Sequence, residues 1–395
     1  MQYSPSPLPL SHPGRGGRET LWGQSVDDGE RLSALRLTLA TGVGPRTFAA
    51  LVERFGSARA AAEAPAKDLA ETPGIGEVSA QKIRESLDRA EPEAELERAR
   101  AAGVQLVFRG EADYPIALAY LTDAPPLVYV KGTLVPDDAQ AMGIVGMRKC
   151  SLYGQDQAER IAAGLARAGF VIVSGLARGI DSAAHRGALA AGGRTIAVLG
   201  NGLATVYPPE NGRLADAVAA QGALVSEFPM ETAPQAENFP RRNRILAALG
   251  LGVVVVEAGV RSGSLITARL AAELGKEVFA VPNRVDAPGA AGVHALIRDG
   301  AKLVESVADI LDEFPDLEVE PAAGEDAPRQ AGLALKANLS AEEARLMEVL
   351  DAEPAPLETL ADRAGLDAPQ AAGAMTLLEL KGLVRALPGG RFLRR

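Results

Sequence analysis

Four short segments carry residues suited to binding an anion, and each directly follows an apolar run. They are Gly146-Met147-Arg148-Lys149, Ser174-Gly175-Leu176-Ala177-Arg178-Gly179-Ile180-Asp181, Gly200-Asn201-Gly202 with Tyr207-Pro208, and Ala258-Gly259-Val260-Arg261-Ser262-Gly263-Ser264. Glycine lets the backbone approach a ligand, a helix that starts just afterwards offers oriented N–H groups, and arginine adds charge. Four such loops describe a phosphate site. A fifth segment, Asn238-Phe239-Pro240-Arg241-Arg242-Asn243-Arg244, sets one aromatic ring beside three arginines. That combination suits single-stranded nucleic acid, with cations for the backbone and a ring for a base. The competing reading places Phe239 in the core and pairs the arginines with acids such as Glu257.

Several other chemistries fail on spacing. Gly275-Lys276 is followed by Glu277, so the chain lacks the Gly-x-x-x-x-Gly-Lys-Ser/Thr loop of nucleoside triphosphatases. The first strand–helix turn lacks the Gly-x-Gly-x-x-Gly pattern of dinucleotide sites. Ser174, Asp181 and His185 hold the groups of a hydrolytic triad, but Asp181 and His185 stand one helical turn apart, and His185 reads as a packing residue. Cys150, the single cysteine, follows two cations and reads as a small loop residue. With three scattered histidines, His12, His185 and His294, the chain offers no disulfide and no metal cage. No cofactor, metal or catalytic residue is expected.

The elements that must position these loops alternate in type. Strands are expected at Val104–Phe108, Leu127–Lys131, Ala141–Val145, Phe170–Ser174, Thr195–Leu199, Ala223–Ser226, Gly252–Glu257, Glu277–Val281 and Lys302–Val304. Helices are expected at Tyr153–Ala168, Ile180–Ala191, Arg213–Ala220, Arg242–Leu249 and Gly263–Leu274. Val253-Val254-Val255-Val256 reads as a central strand buried on both faces. The alternation implies an α/β fold: a central Rossmann-like, doubly wound, mainly parallel sheet over residues 104–312, with the glycine-rich loops on one edge. Residues 1–25, rich in Pro, Ser and Gly, read as a disordered tail whose Trp22 docks on a neighbour. Residues 26–103 read as an all-α domain of the helix-hairpin-helix or SAM-like type, because Thr41-Gly42-Val43-Gly44-Pro45 and Thr72-Pro73-Gly74-Ile75-Gly76 each lead into a helix. Residues 313–337 form an acidic Pro/Ala linker. Residues 338–395, three helices and a hairpin, resemble a winged helix. No run approaches the roughly 18 apolar residues of a spanning helix, and the N-terminus lacks a signal core. The cytoplasm is the expected compartment.

Charge locates the anion site. The 395 residues hold 41 Lys+Arg and 51 Asp+Glu, a formal net charge of -10. Between Met142 and Arg269, however, 13 basic residues face 9 acidic ones, a surplus of +4, and the remainder carries -14. An acidic chain with a basic segment at its ligand edge confines a polyanion to one groove.

The motifs together resemble the DNA processing protein A family. They are Ser174 to Asp181 with Ala184-His185; Gly200-Asn201-Gly202 with Tyr207-Pro208 and Asn211; Ser226-Glu227 leading to Phe239-Pro240-x-Arg242-Asn243-Arg244-Ile245; and Val255-Val256-Glu257-Ala258 with Ser262 to Ala268. The resemblance spans roughly Ile144 to Pro282, and both flanks match. It implies a non-catalytic homodimer that binds and protects single-stranded DNA during natural transformation, loads the RecA recombinase and helps displace single-strand-binding protein. It carries the family's glycine and arginine phosphate contact onto Gly146 and Arg148, its base-contacting aromatic onto Phe239, and its later glycine-rich contact onto Ser262 to Ser264. The basic residue that often precedes the aromatic is missing from Gln235-Ala236-Glu237-Asn238, which shifts part of the phosphate grip to Lys149, Arg241 or Arg261. The expected DNA contacts are therefore Gly146, Arg148, Lys149, Ser174, Gly175, Arg178, Phe239, Arg241, Arg242, Asn243, Arg244, Arg261, Ser262, Gly263 and Ser264. In residues 338–395, 7 basic residues face 9 acidic ones, and the third helix has no arginine before Lys381, which favours protein contact over groove reading. The enzyme-class alternative is a Rossmann-like nucleotide-processing hydrolase with Glu257 as its acid and Arg261 as a phosphate clamp.

Overall fold

Val253, Val254, Val255 and Val256 show how the central sheet is built, because their side chains alternate between two cores. In the computed structural model, which describes residues 27–315, 317, 339–350, 354–381, 383–387 and 389–394, Val253 and Val255 join Val145, Val173 and Ile196 on one face. Val254 and Val256 join Met142, Ile144 and Ile172 on the other. The strands are β1 (Val104–Phe108), β2 (Leu127–Gly132), β3 (Ala141–Val145), β4 (Val171–Ser174), β5 (Thr195–Val198), β6 (Ala223–Ser226), β7 (Gly252–Val255), β8 (Glu277–Ala280) and β9 (Lys302–Leu303). They form one sheet in the order β1-β2-β6-β5-β4-β3-β7-β8-β9. Every pairing from β6 to β9 is parallel. The two departures lie at one side, where β2 runs antiparallel to β6 and β1 antiparallel to β2.

Ahead of the sheet come α1 (Asp28–Leu39), α2 (Pro45–Phe55), α3 (Ala58–Glu63), α4 (Ala66–Leu69), α5 (Glu77–Arg89) and α6 (Pro92–Ala101). Gly42 (φ +89°) and Gly74 (φ +85°) occupy the left-handed region that makes the turns before α2 and α5. These helices do not close a core of their own. Leu35, Leu51, Leu69 and Leu87 belong to one apolar cluster with Leu106, Tyr129, Leu199 and Met230 of the sheet region, and the chain divides into two compact units, Met1–Ala322 and Ala323–Arg395.

The sheet's helices are α7 (Ile116–Ala119), α8 (Leu152–Arg167), α9 (Ile180–Ala190), α10 (Gly212–Gln221), α11 (Asn238–Leu249), α12 (Gly263–Glu273), α13 (Ala290–Arg298) and α14 (Ala308–Leu311). One expectation needs correction: α11 starts at Asn238, four residues before Arg242. Pro240 is tolerated because a proline in the first turn forgoes an N–H that has no intrahelical partner, so Phe239 stands on a helix rather than a loop.

The second unit contains α15 (Ala341–Val349), β10 (Ala355–Pro356), α16 (Leu357–Ala364), α17 (Ala368–Leu380), β11 (Val384–Leu387) and β12 (Arg391–Arg394), with strand order β10-β12-β11. This is a winged helix, cored by Leu346, Leu360, Met375, Leu378 and Val384. A capping box of Ser340 and Glu343 starts its first helix. The buried Glu343 also takes the Lys381 ammonium at 2.7 Å. The proposed tail with Trp22, and most of the linker, lie outside the described residues. Among the described residues no helix is long and apolar enough to cross a membrane.

Candidate nucleic-acid interface

The crossovers place the site. Residues of α8 and α9 pack on the face carrying Met142 and Ile172, whereas those of α11, α12 and α13 pack on the opposite face. The neighbours β3 and β7 therefore send their following helices to opposite sides, which opens a crevice beyond Val145 and Val255 where ligands of doubly wound sheets bind.

Two loops fill its rim. After β3, Gly146 is required because a Cβ there would lie 2.5 Å from Ile180 Cγ1 and 3.0 Å from the Glu257 carbonyl. Gly179, at φ +76°, seats the start of α9 against the carbonyls of Met147 and Arg148. This interlock leaves the Arg148 and Lys149 side chains exposed. After β7, Glu257 is buried and accepts the Ser151 N–H at 2.9 Å, the Ser151 hydroxyl at 2.5 Å and the Asn283 amide at 3.0 Å. Ser151 also caps α8 through the Gly154 N–H at 3.0 Å. Glu257 thus anchors both loops from below, and beyond it Arg261 is exposed, Gly263 opens onto free space, and the Ser262 and Ser264 hydroxyls meet at 2.7 Å.

Phe239 joins these loops from the first turn of α11. Its half-buried ring lies over Gly200, where a Cβ would sit 3.0 Å from it. The Arg148 guanidinium stands 5.0 Å from the ring centroid, within cation–π range. The Tyr207 ring lies 5.9 Å away, tilted by 44°. Arg148, Phe239 and Tyr207 are thus a contiguous row drawn from two loops and the first turn of α11, a stacking platform with its own cation. Tyr207 was absent from the expected contacts, although a Tyr-Pro step just after Gly-Asn-Gly was its available signal. Next to it the exposed Arg178 is paired with Glu210. The hydrogen bond between them raises the arginine's pKa and lowers that of the carboxyl. Arg241 is exposed and lies 5.1 Å over the Phe228 ring.

Four expected contact residues turn inward to hold the frame, and a fifth, Ser264, is buried as well. The buried Ser174 hydroxyl donates to the Ile144 carbonyl at 2.6 Å and ties β4 to β3. Arg242 is 5% exposed and donates to the Val198 carbonyl. Its guanidinium occupies the space a side chain at Gly175 would need, and that explains Gly175. Burial lowers the Arg242 pKa and raises that of Asp181, and each is partly restored by the other's charge. Arg244 pairs with the buried Glu227 and with Asp123 at 3.5 Å. Asn243 reaches the Gly263 carbonyl at 3.4 Å and links α11 to α12. Arg244 does pair with an acid, but with Glu227 rather than Glu257, while Arg242 makes no ion pair and only feels the charge of Asp181. Because each buried cation is matched by a buried acid, the local surplus of +4 is not consumed by the interior.

The triad geometry is not formed. His185 is fully buried and its Nδ1 lies 2.7 Å from the Thr195 hydroxyl, which itself donates to the Ile172 carbonyl at 2.7 Å. The imidazole is therefore the donor at Nδ1, and burial brings its pKa down to about 3. Burial, the largest influence, likewise raises the Cys150 thiol pKa, which opposes a reactive thiolate. The one acid of the hydrolase alternative, Glu257, is held by three donors. Among the described residues no cluster of His, Cys, Asp or Glu is arranged to hold a metal ion.

A doubly wound sheet with a cationic, aromatic, glycine-rich switch point defines a Rossmann-like α/β protein, here flanked by helical hairpins and a winged helix. Residues 105–315 match the family model of the DNA recombination-mediator protein A, residues 34–89 a SAM-like helix-hairpin-helix tandem, and residues 327–390 the DprA winged helix domain. The chain is 44% identical to protein Smf of Escherichia coli over 282 residues, 70% of this chain and 74% of that protein. It is 46% identical to DNA processing protein DprA of Streptococcus pneumoniae over 201 residues, 51% of this chain and 71% of that one. The X-ray structure of DNA processing protein A from Streptococcus pneumoniae superposes with a TM-score of 0.63 at 36% identity, covering 73% of this chain and 98% of that one. The chain belongs to the DNA recombination-mediator protein A family.

Proposed function

We propose that the protein binds single-stranded DNA along the carboxyl edge of its sheet and acts as a recombination mediator without catalysing a reaction. The observation that carries this is the Arg148–Phe239–Tyr207 row at the switch point. It offers one charge and two rings where a sugar-phosphate chain and its bases need them. The contacting side chains are Arg148, Lys149, Arg178, Phe239, Arg241 and Arg261, with Ser262, Gly263 and Ser264 at the start of α12. Gly146 and Gly175 contribute through backbone shape, and Ser174, Arg242, Asn243 and Arg244 hold the frame. Family membership extends the proposal to a cytoplasmic homodimer that loads the RecA recombinase onto strands entering by natural transformation and helps displace single-strand-binding protein. The winged helix, acidic overall, serves protein contact.

The test is a salt titration of binding to a short single strand, beside duplex of equal length. Tighter binding to the single strand and an affinity that falls linearly with salt on a log–log plot are expected. Equal or preferred binding to duplex overturns the proposal. RecA assembly on strands already coated with single-strand-binding protein should accelerate when the protein is added, and an unchanged rate refutes the loading role.

A further inference from the structure

The first helical hairpin and the sheet region border a cavity of about 190 Å3 that the interface just described meets only at Arg241. Val43 and Phe48 line it from the hairpin and α2, and Pro125, Phe228, Pro229 and Arg241 line it from the sheet region. Glu227 also borders it, with its carboxylate paired to Arg244. An apolar cavity of roughly 150 Å3 accepts one benzene ring, and pockets for drug-sized ligands begin near ~300 Å3. The space therefore suits a single ring system. Its walls are proline and phenylalanine rings, and its exposed cation, Arg241, lies over Phe228. The first turn of α2 contains no acidic residue, and the one acid at the border, Glu227, already has the Arg244 guanidinium as its partner.

A slot walled by proline and phenylalanine rings beside the polar groups of Thr38 and Glu227, with one exposed cation at its rim, complements one nucleotide: the base has apolar faces and polar edges, and its phosphate stays outside. Continuity with the groove supports this occupant: Phe239 and Arg241 share the first turn of α11 and leave it about 200° apart, so a strand stacked on the ring reaches the cavity by rounding the start of that helix. We propose that the cavity receives one unstacked base of the bound single strand, with Arg241 holding the adjoining phosphate. The inference rests on the single-strand reading of the sheet edge and adds a second subsite to it.

Two glycines supply a controlled test. Gly44 borders the cavity and precedes α2, and Gly76 precedes α5 at the equivalent point of the second hairpin. A Cβ at either meets nothing within 4 Å, and their φ values of -88° and -85° are ordinary for any residue. Gly44→Phe should fill the cavity, and Gly76→Phe should place the same ring at an unrelated surface. The probe is a fluorescent dT oligomer of about 20 nucleotides, longer than the ~4–16 nucleotides of a typical single-strand site. Gly44→Phe should weaken binding by about 5- to 150-fold, the loss of one stacked base. Gly76→Phe should bind as wild type, and both should melt at the wild-type temperature. If Gly44→Phe binds normally while Arg148→Ala is weakened, the cavity is not a subsite and the sheet-edge reading survives. If Arg148→Ala also binds normally, both readings fail. An equal loss in Gly76→Phe refutes the cavity as the cause.

Discussion

Phe239 and Arg148 touch each other yet should contribute to DNA affinity through different physics, which makes them separable. Phe239→Ala removes a ring that is packed on Gly200 and Tyr207 but open enough to receive a base. Stacking on such a ring is worth roughly 1–3 kcal/mol per base, so the dissociation constant should rise about 5- to 150-fold. The loss should be the same at every salt concentration, because no counterion is released by a ring. Arg148→Ala removes one phosphate contact, and a single strand changes its log–log salt slope by about 0.7 per contact. Its effect should therefore be large at low salt and fade as salt rises. Fluorescence anisotropy with a dT oligomer, from about 50 to about 200 mM salt, reads both quantities. A slope change in Phe239→Ala with none in Arg148→Ala would reverse the assigned roles. Unchanged affinity in Phe239→Ala would refute the stacking platform itself.

Glu210 holds the Arg178 guanidinium, so on the proposed single-strand reading Glu210→Gln should free that cation for phosphate, tighten single-strand binding and steepen its salt slope, measured in the same titration. Gly175→Ala would drive a methyl group into the Arg242 guanidinium. The strain should cost about 1–3 kcal/mol and appear as a lowered urea midpoint with little change in the slope. His185 is neutral in the fold, with a pKa of about 3 against 6.5 when free. The unfolded chain thus takes up a proton that the folded one refuses. The stability this contributes is present above pH 6.5 and is lost as pH falls towards 3. Over about 1.5 pH units below 6.5 the loss should reach roughly 1–2 kcal/mol, and His185→Gln should flatten that limb in urea melts at each pH.

Strand and helix identity was legible because the signals are local. Val253 to Val256 can only be a strand buried on both faces, and it is. The glycine-rich loops could be assigned to one edge because parallel strands with helical crossovers must all emerge there. The roles of individual arginines were not legible. Arg241, Arg242 and Arg244 are neighbours in sequence, but successive residues on a helix point about 100° apart. The first faces solvent over Phe228, while the other two enter the interior towards Asp181 and Glu227. Those acids lie elsewhere in the chain, Asp181 in α9 and Glu227 after β6, so no spacing rule could find them. For the same reason Tyr207 could not be placed against Phe239, since the two are joined only through the ends of β5 and β6.

The sequence by itself determined the element order, the edge on which the ligand loops gather, and a confined basic surplus within a chain of net charge -10. These follow from periodicity, chain chirality and composition, which need no partner elsewhere in the molecule. Tertiary structure decided which cations stay at the surface and that the helical region shares the sheet's core. It also created the cavity between Phe48 and Phe228. Burial is a property of the packed whole: a guanidinium faces solvent or an acid according to what the distant chain places over it.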